Sequence, residues 1–187
     1  MHSPHLLVRR GSMVGQWNGI VQNVMCQQPQ HISYRGVEGH GLRVQRHDRV
    51  NAYVGRRLSV CGWSVLYEPH IPFGTTFKKP DIVARHEDHC LVINTTIVAD
   101  NSELDDQSGQ KAKYYNCPEI VAWLHKFFPG LQIGFTGVAL NWRGVMSVVS
   151  TVILKNGCLR NEDIHVMSVK TLAGDCAPMT HGWLGHS

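Results

Sequence analysis

Apolar residues recur at helical spacing along the first clearly patterned segment of the chain. The spacing predicts a helix from Leu42 to about Cys61, which Gly62 is expected to end. The core stripe of this helix consists of Val50, Val54, Leu58 and Cys61. The neighbouring stripe consists of Arg46, Arg49, Tyr53 and Arg56. One face is therefore expected to pack on a core, while arginines line the adjacent face.

Three short strand patterns follow this helix, over 63–68, 81–85 and 90–98. The third is nearly all apolar or β-branched, which is typical of a buried strand. The polar sequence HEDH separates the second strand from the third and predicts a hairpin. Strand alternation places Val92, Asn94 and Thr96 on one face of the third strand.

The rest of the chain predicts helices mixed with one more strand. A helix is expected over about 103–115, and Pro118 fits the first turn of another. A strand at 131–139 and helical patches near 145–155 and 161–173 follow. This order predicts an α/β fold with a mixed sheet flanked by helices. We assign residues 1–41 to a lead-in and 42–187 to the main domain with a helical tail.

Length and composition narrow the class of protein. The 187 residues suit one domain, and 43% hydrophobic residues against 17% charged ones allow a real core, which excludes whole-chain disorder. No run of about 18 apolar residues is found, and the first residues lack a secretory signal, so no membrane partner is expected. Six cysteines without a C-x-x-C pair are expected to be reduced thiols in an intracellular protein.

Positive charge is concentrated in one window. Residues 35–57 hold six arginines against Glu38 and Asp48, so this window alone carries the net charge of +4. The guanidinium group pairs with two phosphate oxygens at once, so an arginine cluster favours nucleic acid. A solvated helix face is the alternative interpretation.

A possible metal site lies at Lys79-Pro80-Asp81, followed thirteen residues after Asp81 by Asn94. Phosphodiester hydrolysis uses a divalent metal, and Mg²⁺ prefers oxygen ligands. Two acidic positions at the open end of a hairpin with a nearby lysine form the PD-(D/E)-x-K nuclease pattern. Here Asn94 stands at the second acidic position and Thr96 where a lysine often stands. The alternatives are a strand-entry turn at Asp81 and a core asparagine bonded to backbone at Asn94.

A lysine on the next predicted helix is equally unusual. Lys111 shares a helix stripe with Leu104, Gln107 and Tyr115, so it is expected to point towards the sheet. A lysine in that place requires an anion, either a carboxylate or a bound phosphate.

Together these segments resemble the restriction-like endonuclease domain at the C-terminus of the Pol polyprotein of site-specific non-LTR retrotransposons, the ribosomal-DNA-inserting, type-1 elements. The resemblance covers about 26–183 and depends on the order and spacing of the motifs. The segments that carry it are HISYRGVEGHGLRVQRHDRV (31–50), GWSVLYEPHIP (62–72), KKPDIV (78–83), LVINTTIV (91–98), ELDDQSGQKAKYY (103–115), NWRGVMSVVSTVIL (141–154) and VKTLAGD (169–175).

The resemblance implies a role for individual residues. Asp81 matches the first metal-binding carboxylate, Asn94 the second, and Lys111 the first of two helix lysines. Tyr114 stands where the second helix lysine would be, and the adjacent Lys113 could substitute for it. Arg46 and His47 match the family's Arg-His pair. The DNA-binding set implied by this match and by the arginine stripe is Arg43, Arg46, His47, Arg49 and Arg56.

The chain also departs from the family. An amide at Asn94 keeps one oxygen ligand but removes a unit of negative charge. In the zinc knuckle His31 matches the histidine, but Gly36 stands at the last cysteine, so the sequence does not favour a structural zinc ion.

The function that the resemblance implies is a Mg²⁺- or Mn²⁺-dependent DNA endonuclease that nicks target DNA to prime reverse transcription. Its partners would be double-stranded DNA, element RNA and a reverse-transcriptase domain in the same polyprotein, and its location the nucleus. One alternative is a nucleic-acid-binding module that keeps the fold but no longer cuts. Another is a relative that acts on branched DNA.

Overall fold

A long helix, α1 (Glu38–Val60), opens the part of the chain that is described by the computed structural model, residues 38–172. The helix begins four residues before the predicted start at Leu42. Val50, Val54 and Leu58 are fully buried, as the helical spacing predicts. Gly62 has φ +89°, a left-handed conformation that favours glycine, and it ends the helix as predicted.

Four strands form the main sheet: β1 (Ser64–Tyr67), β4 (Ile82–His86), β5 (His89–Val98) and β6 (Gln132–Asn141). Their spatial order is β1-β4-β5-β6. The β1–β4 and β4–β5 pairs are antiparallel, and the β5–β6 pair is parallel. The predicted mixed sheet and the hairpin at HEDH are therefore confirmed.

A separate two-stranded hairpin, β2 (Ile71–Phe73) with β3 (Thr76–Lys78), was not predicted. Each strand has only three residues, which is too short to show an alternating pattern, and Pro72 lies within β2.

Four further helices complete the described fold: α2 (Leu104–Tyr115), α3 (Pro118–Phe127), α4 (Val148–Asn156) and α5 (Asn161–Leu172). All four overlap the predicted helical segments, and Pro118 occupies the first turn of α3 as expected. Helices α1 and α2 lie on opposite faces of the sheet. The consecutive strand residues Asn94 and Thr95 bond to Tyr115 of α2 and Asn51 of α1 respectively. The predicted α/β class with helices flanking a mixed sheet is confirmed, and none of the described helices has the length and apolar character needed to cross a membrane.

The main core lies between α1 and the sheet and is closed by residues of α4 and α5. Tyr53 lies in the arginine stripe by its helical spacing, but it belongs to this core and is only 9% exposed. Its hydroxyl donates a 2.7 Å hydrogen bond to Asp163, which also forms a 2.7 Å ion pair with Arg57. These contacts of Asp163 with Tyr53 and Arg57 join α5 to α1. They could not be predicted from the α1 pattern alone, because Asp163 comes from a distant segment of the chain.

Two cysteines differ from the prediction of reduced thiols. Cys61, just after α1, and Cys158, between α4 and α5, form a disulfide across 97 residues. Cys90 and Cys117 are free, whereas Cys26 and Cys176 lie outside the described residues. The pair lacks a sequence signal because only the packing of α1 against the α4–α5 turn brings the two residues together.

Replacement of both Cys61 and Cys158 by serine is expected to lower the free energy of unfolding by about 4.7 kcal/mol. A disulfide that closes a loop of this length restricts the unfolded chain by about that amount. The measurement is urea unfolding with and without a thiol reductant. The reductant should bring the unchanged chain to the stability of the double variant and leave the variant as it was. A chain whose stability does not respond to the reductant would contradict the pairing.

Candidate metal and nucleic-acid site

A polar cavity of about 640 Å³ lies at one end of the main sheet. Asp81, Asn94 and Lys111 all line it, although they come from three different elements. The β4–β5 register brings the first two together, because Ile82 pairs with Ile93 and the next positions outward are Asp81 and Asn94. The structure therefore brings these three residues to one cavity.

Asp81 immediately precedes β4 and is only 8% exposed. Its Oδ2 accepts a 2.6 Å hydrogen bond from the backbone N–H of Thr95 and lies 3.1 Å from Nε2 of His47. Both contacts use the same carboxylate oxygen, and Asp81 also lines the cavity.

His47 projects from α1 onto this carboxylate. Burial alone would lower the pKa of His47, but hydrogen bonds and charge attraction from Asp81 and Asp48 outweigh burial and raise the pKa to about 9. The imidazole is therefore protonated at neutral pH and forms an ion pair with Asp81. His47, assigned to the DNA-binding set from sequence, supports the carboxylate from the α1 side of the sheet.

Asn94 is the most informative residue of the cavity. It is 6% exposed, and its Nδ2 donates to the hydroxyl of Tyr115 at 3.3 Å. Its Oδ1 is buried and has no hydrogen-bond partner within the described part of the chain. A buried acceptor without a partner lowers the stability of the fold by about 1–3 kcal/mol. This oxygen therefore either binds a ligand or destabilises the protein by that amount. The interpretation of Asn94 as a core amide satisfied by backbone is wrong.

Lys111 reaches the cavity because α2 packs very closely on β6 at Gly137. A Cβ atom on Gly137 would lie 2.5 Å from the carbonyl oxygen of Ser108 and 2.8 Å from Cβ of Lys111. Ser108 Oγ also donates to the Gly137 carbonyl at 2.7 Å. Gly137 is the register partner of Asn94, so the glycine sets Lys111 beside Asn94 on the same face of the sheet. No ion pair of Lys111 occurs within residues 38–172.

Of the arginines assigned to DNA binding, only Arg43 lines the cavity. Arg43 is exposed, and no carboxylate in the described region pairs with it. Arg46 is partly buried and Arg49 is exposed on the same helix. Arg56 lies farther along α1, with its guanidinium 5.5 Å from the centre of the Tyr53 ring.

Neither of the two possible substitutes for a second helix lysine reaches the cavity. Lys113 and Tyr114 are both exposed, and the Tyr114 ring instead covers the ammonium group of Lys78 at 4.3 Å. His31, the possible zinc ligand, lies outside the described residues. Within 38–172 there is no group of three or more His, Cys, Asp or Glu side chains that could hold a metal ion.

Tyr115 and Trp142 line the cavity, although neither was assigned to the site from sequence. The Tyr115 hydroxyl donates to the Lys79 carbonyl at 2.9 Å while it accepts from Asn94. Burial, with smaller contributions from the charges of Asp81 and Tyr114, raises the pKa of Tyr115 to about 12, so it remains a neutral donor. Its position four residues after Lys111 on one helix stripe was the signal that could have identified it.

The oxygen donors of the cavity fit a hard divalent cation. Asp81 offers a carboxylate oxygen, and Asn94 offers an amide oxygen that lacks another partner within the described residues. Mg²⁺ commonly uses one or two protein oxygens and completes its shell with water and phosphate. The set carries a single negative charge, which is partly offset by protonated His47, so a cation would be held weakly.

No protein-family model matches the chain. The Retrovirus-related Pol polyprotein from type-2 retrotransposable element R2DM of Drosophila melanogaster is 34% identical over 154 residues, which is 80% of this chain and 15% of that protein. The chain is homologous to a segment of R2 Pol polyproteins.

Two further R2 relatives agree with this homology. The Pol polyprotein from type-1 retrotransposable element R2 of Nasonia vitripennis is 28% identical over 77% of this chain and 14% of its own length. The type-1 R2 protein of Popillia japonica is 29% identical over 56% of this chain and 22% of its own length. The chain thus spans about one seventh of the first two relatives. The resemblance to retrotransposon Pol polyproteins is confirmed.

Proposed function

We propose that this chain is the metal-dependent DNA endonuclease domain of an R2-type retrotransposon Pol polyprotein, weakened by the amide at position 94. It would nick target DNA and so provide the primer for reverse transcription. The observation that carries the proposal is the buried Oδ1 of Asn94, which has no partner among the described residues and lies next to the carboxylate of Asp81. An apolar residue would avoid the cost of that oxygen, whereas a cation ligand would use it.

Each of the cavity residues would have a separate role in the reaction. Asp81 and Asn94 would hold Mg²⁺ or Mn²⁺, which when bound supplies positive charge at the phosphate and an acidified water. Lys111 and Arg43 would bind the phosphate oxygens and stabilise the charge that develops in the transition state. His47 orients the Asp81 carboxylate, and Tyr115 fixes the amide plane of Asn94.

The wider partners follow from the same proposal. Double-stranded DNA would lie across the cavity and the exposed arginines of α1, Arg49 and Arg56, which add phosphate contacts without base recognition. The reverse-transcriptase domain would be part of the same polyprotein and element RNA a second nucleic-acid ligand. Action on chromosomal DNA places the domain in the nucleus.

A nucleic-acid-binding module that no longer cuts is the second candidate function. The observation in its favour is that the site offers one carboxylate, already paired with a protonated histidine. Such a site keeps its phosphate-binding cations even if a metal ion is held too weakly for hydrolysis.

Binding of Mn²⁺ tests the metal site directly. We expect the chain to bind Mn²⁺, measured by the loss of free-ion signal in electron paramagnetic resonance. Asp81→Asn should weaken that binding at least as much as the roughly 10-fold loss seen when an outer-shell partner is removed. Asp106→Asn, an exposed carboxylate in the first turn of α2, is the matched control and should bind as before. Equal Mn²⁺ binding by both variants would refute the metal site.

A further inference from the structure

Trp142 is an exposed aromatic side chain in the wall of the same cavity that holds Asp81 and Lys111. It follows the last residue of β6 and is 51% exposed. Within the described part of the chain its ring takes part in no aromatic pair, cation–π contact or hydrogen bond. A large apolar ring with an open face beside a polar, cationic cavity suits a ligand that is itself flat and apolar on its faces.

The turn that carries Trp142 is held firmly. The buried Asn141 side chain accepts hydrogen bonds from the backbone N–H groups of Arg143 at 3.1 Å and Val145 at 2.9 Å. Gly144 has φ +77° and packs against the Ser168 carbonyl, where a Cβ atom would lie only 2.6 Å away. The Arg143 guanidinium forms a 2.7 Å ion pair with Asp100. The backbone at Trp142 is thus fixed in advance, which lowers the entropic cost of binding a ligand there.

The cavity supplies the two kinds of contact that a nucleotide needs. Arg43 and Lys111 are cations without a carboxylate partner among the described residues, and they suit a phosphate. An aromatic ring stacks on a base of any sequence, because every base has a π-face. A base inside a regular duplex has both faces covered by its neighbours, so only an unpaired or extruded base can lie on Trp142.

We propose that Trp142 is a stacking platform for an unpaired nucleobase next to the phosphate bound in the cavity. The inference rests on the proposed function, since it takes the cavity as the place where a DNA phosphate binds. It adds a preference for distorted DNA with an exposed base, and it assigns that preference to one side chain.

Direct binding measurements on the full 187-residue chain test the platform without requiring cleavage. The probes are a fluorescently labelled duplex, the same duplex with one extra unpaired nucleotide, and that bulged duplex with an abasic site in place of the extra base. Fluorescence anisotropy with Ca²⁺ and no Mg²⁺ gives each affinity. We expect the bulged duplex to bind roughly tenfold more tightly than the other two, within the range found for stacking of one base.

Variants then assign this preference to the ring. Trp142→Ala should remove the preference for the bulged duplex and leave binding of the regular duplex unchanged, while Trp142→Phe should keep most of it. Val148→Ala, which shortens another exposed apolar side chain (69% exposed) outside the cavity, is the matched control and should keep the full preference. A preference that survives Trp142→Ala overturns the platform, as does equal binding of all three probes by the unchanged chain.

Two other outcomes would separate the stacking platform from a protein interface and from the endonuclease proposal. If Trp142→Ala changes only the oligomeric state, measured by light scattering, the ring belongs to a protein interface and the platform is wrong. If the preference depends on Trp142 as expected but neither the chain nor its Asn94→Asp variant cuts DNA, the platform stands and the endonuclease proposal fails.

Discussion

Asn94→Asp is expected to raise the rate of metal-dependent DNA nicking by about 100-fold or more. A second carboxylate adds a unit of negative charge where the cavity now offers a neutral amide oxygen. Loss of one ligand charge in a partly dry metal site is expected to cost several kcal/mol, and each step of about 1.4 kcal/mol in the barrier corresponds to about tenfold in rate. The measurement is conversion of supercoiled plasmid to nicked circles with Mg²⁺ or Mn²⁺.

The surroundings of Asn94 can accept this change. The amide nitrogen now donates to the Tyr115 hydroxyl, which is neutral and donates its single hydrogen to the Lys79 carbonyl. With a carboxylate at position 94, this hydroxyl would rotate and donate to the carboxylate oxygen instead. The other oxygen would occupy the position of the present Oδ1, which has no hydrogen-bond partner in the described region to give up. We therefore expect Asn94→Asp to keep the fold, which far-ultraviolet circular dichroism would check.

Further variants show which residues are needed for the increase in nicking rate expected from Asn94→Asp. Asp81→Asn in the Asn94→Asp chain should abolish nicking, because the other carboxylate ligand would be removed. Lys111→Ala in that chain should reduce it through weaker stabilisation of phosphate charge. Asn116→Asp adds the same charge at an exposed position outside the cavity and should not change the rate. If Asn94→Asp cuts no better than the unchanged chain while it still binds DNA, the binding-module function is the correct one.

Much of the fold could be predicted because the patterns that indicate its helices and strands lie within short segments of the sequence. The buried strand β5 shows both its length and its two faces in the sequence, and Pro118 marks the start of α3. The same alternation put Asn94 on one face of the strand with Val92 and Thr96, and the helix stripe separately predicted that Lys111 points towards the sheet. A motif match added Asp81, whose neighbours alone predict only a turn.

The rest of the site depends on contacts between distant segments, which leave no local pattern. Tyr53 shares the spacing of the arginine stripe, but its hydroxyl bonds to Asp163 on α5 within the core. Cys61 and Cys158 lack a pairing signal, and the closeness of Lys111 to the sheet depends on the absence of a side chain at Gly137. Trp142 follows a strand that was predicted to end two residues early. Its position in the cavity wall could therefore not be predicted from the sequence.

The double change Arg43→Ala with Lys111→Ala is expected to weaken DNA binding on every sequence, by about tenfold for each of the two phosphate interactions that it removes. Hydrogen bonds to charged groups contribute about 1.5–3 kcal/mol each, and both side chains face the cavity with no described carboxylate to neutralise them. The arginine stripe inferred from sequence pointed to Arg46 and Arg49, whereas the cavity favours Arg43 because Arg43 lines the same cavity as the proposed metal ligands.

Salt dependence distinguishes direct phosphate binding from indirect effects on the fold. Removal of each phosphate interaction should reduce the slope of log affinity against log salt by about 0.9, so the double variant should flatten it by about 1.8. The matched control is Lys155→Ala with Arg160→Ala, which removes one exposed lysine and one exposed arginine outside the cavity. This control changes the net charge equally, so a general charge effect would flatten both slopes alike. Equal slopes for the two double variants would show that the cavity does not hold a DNA phosphate, and Arg43 and Lys111 would then be ordinary solvated cations.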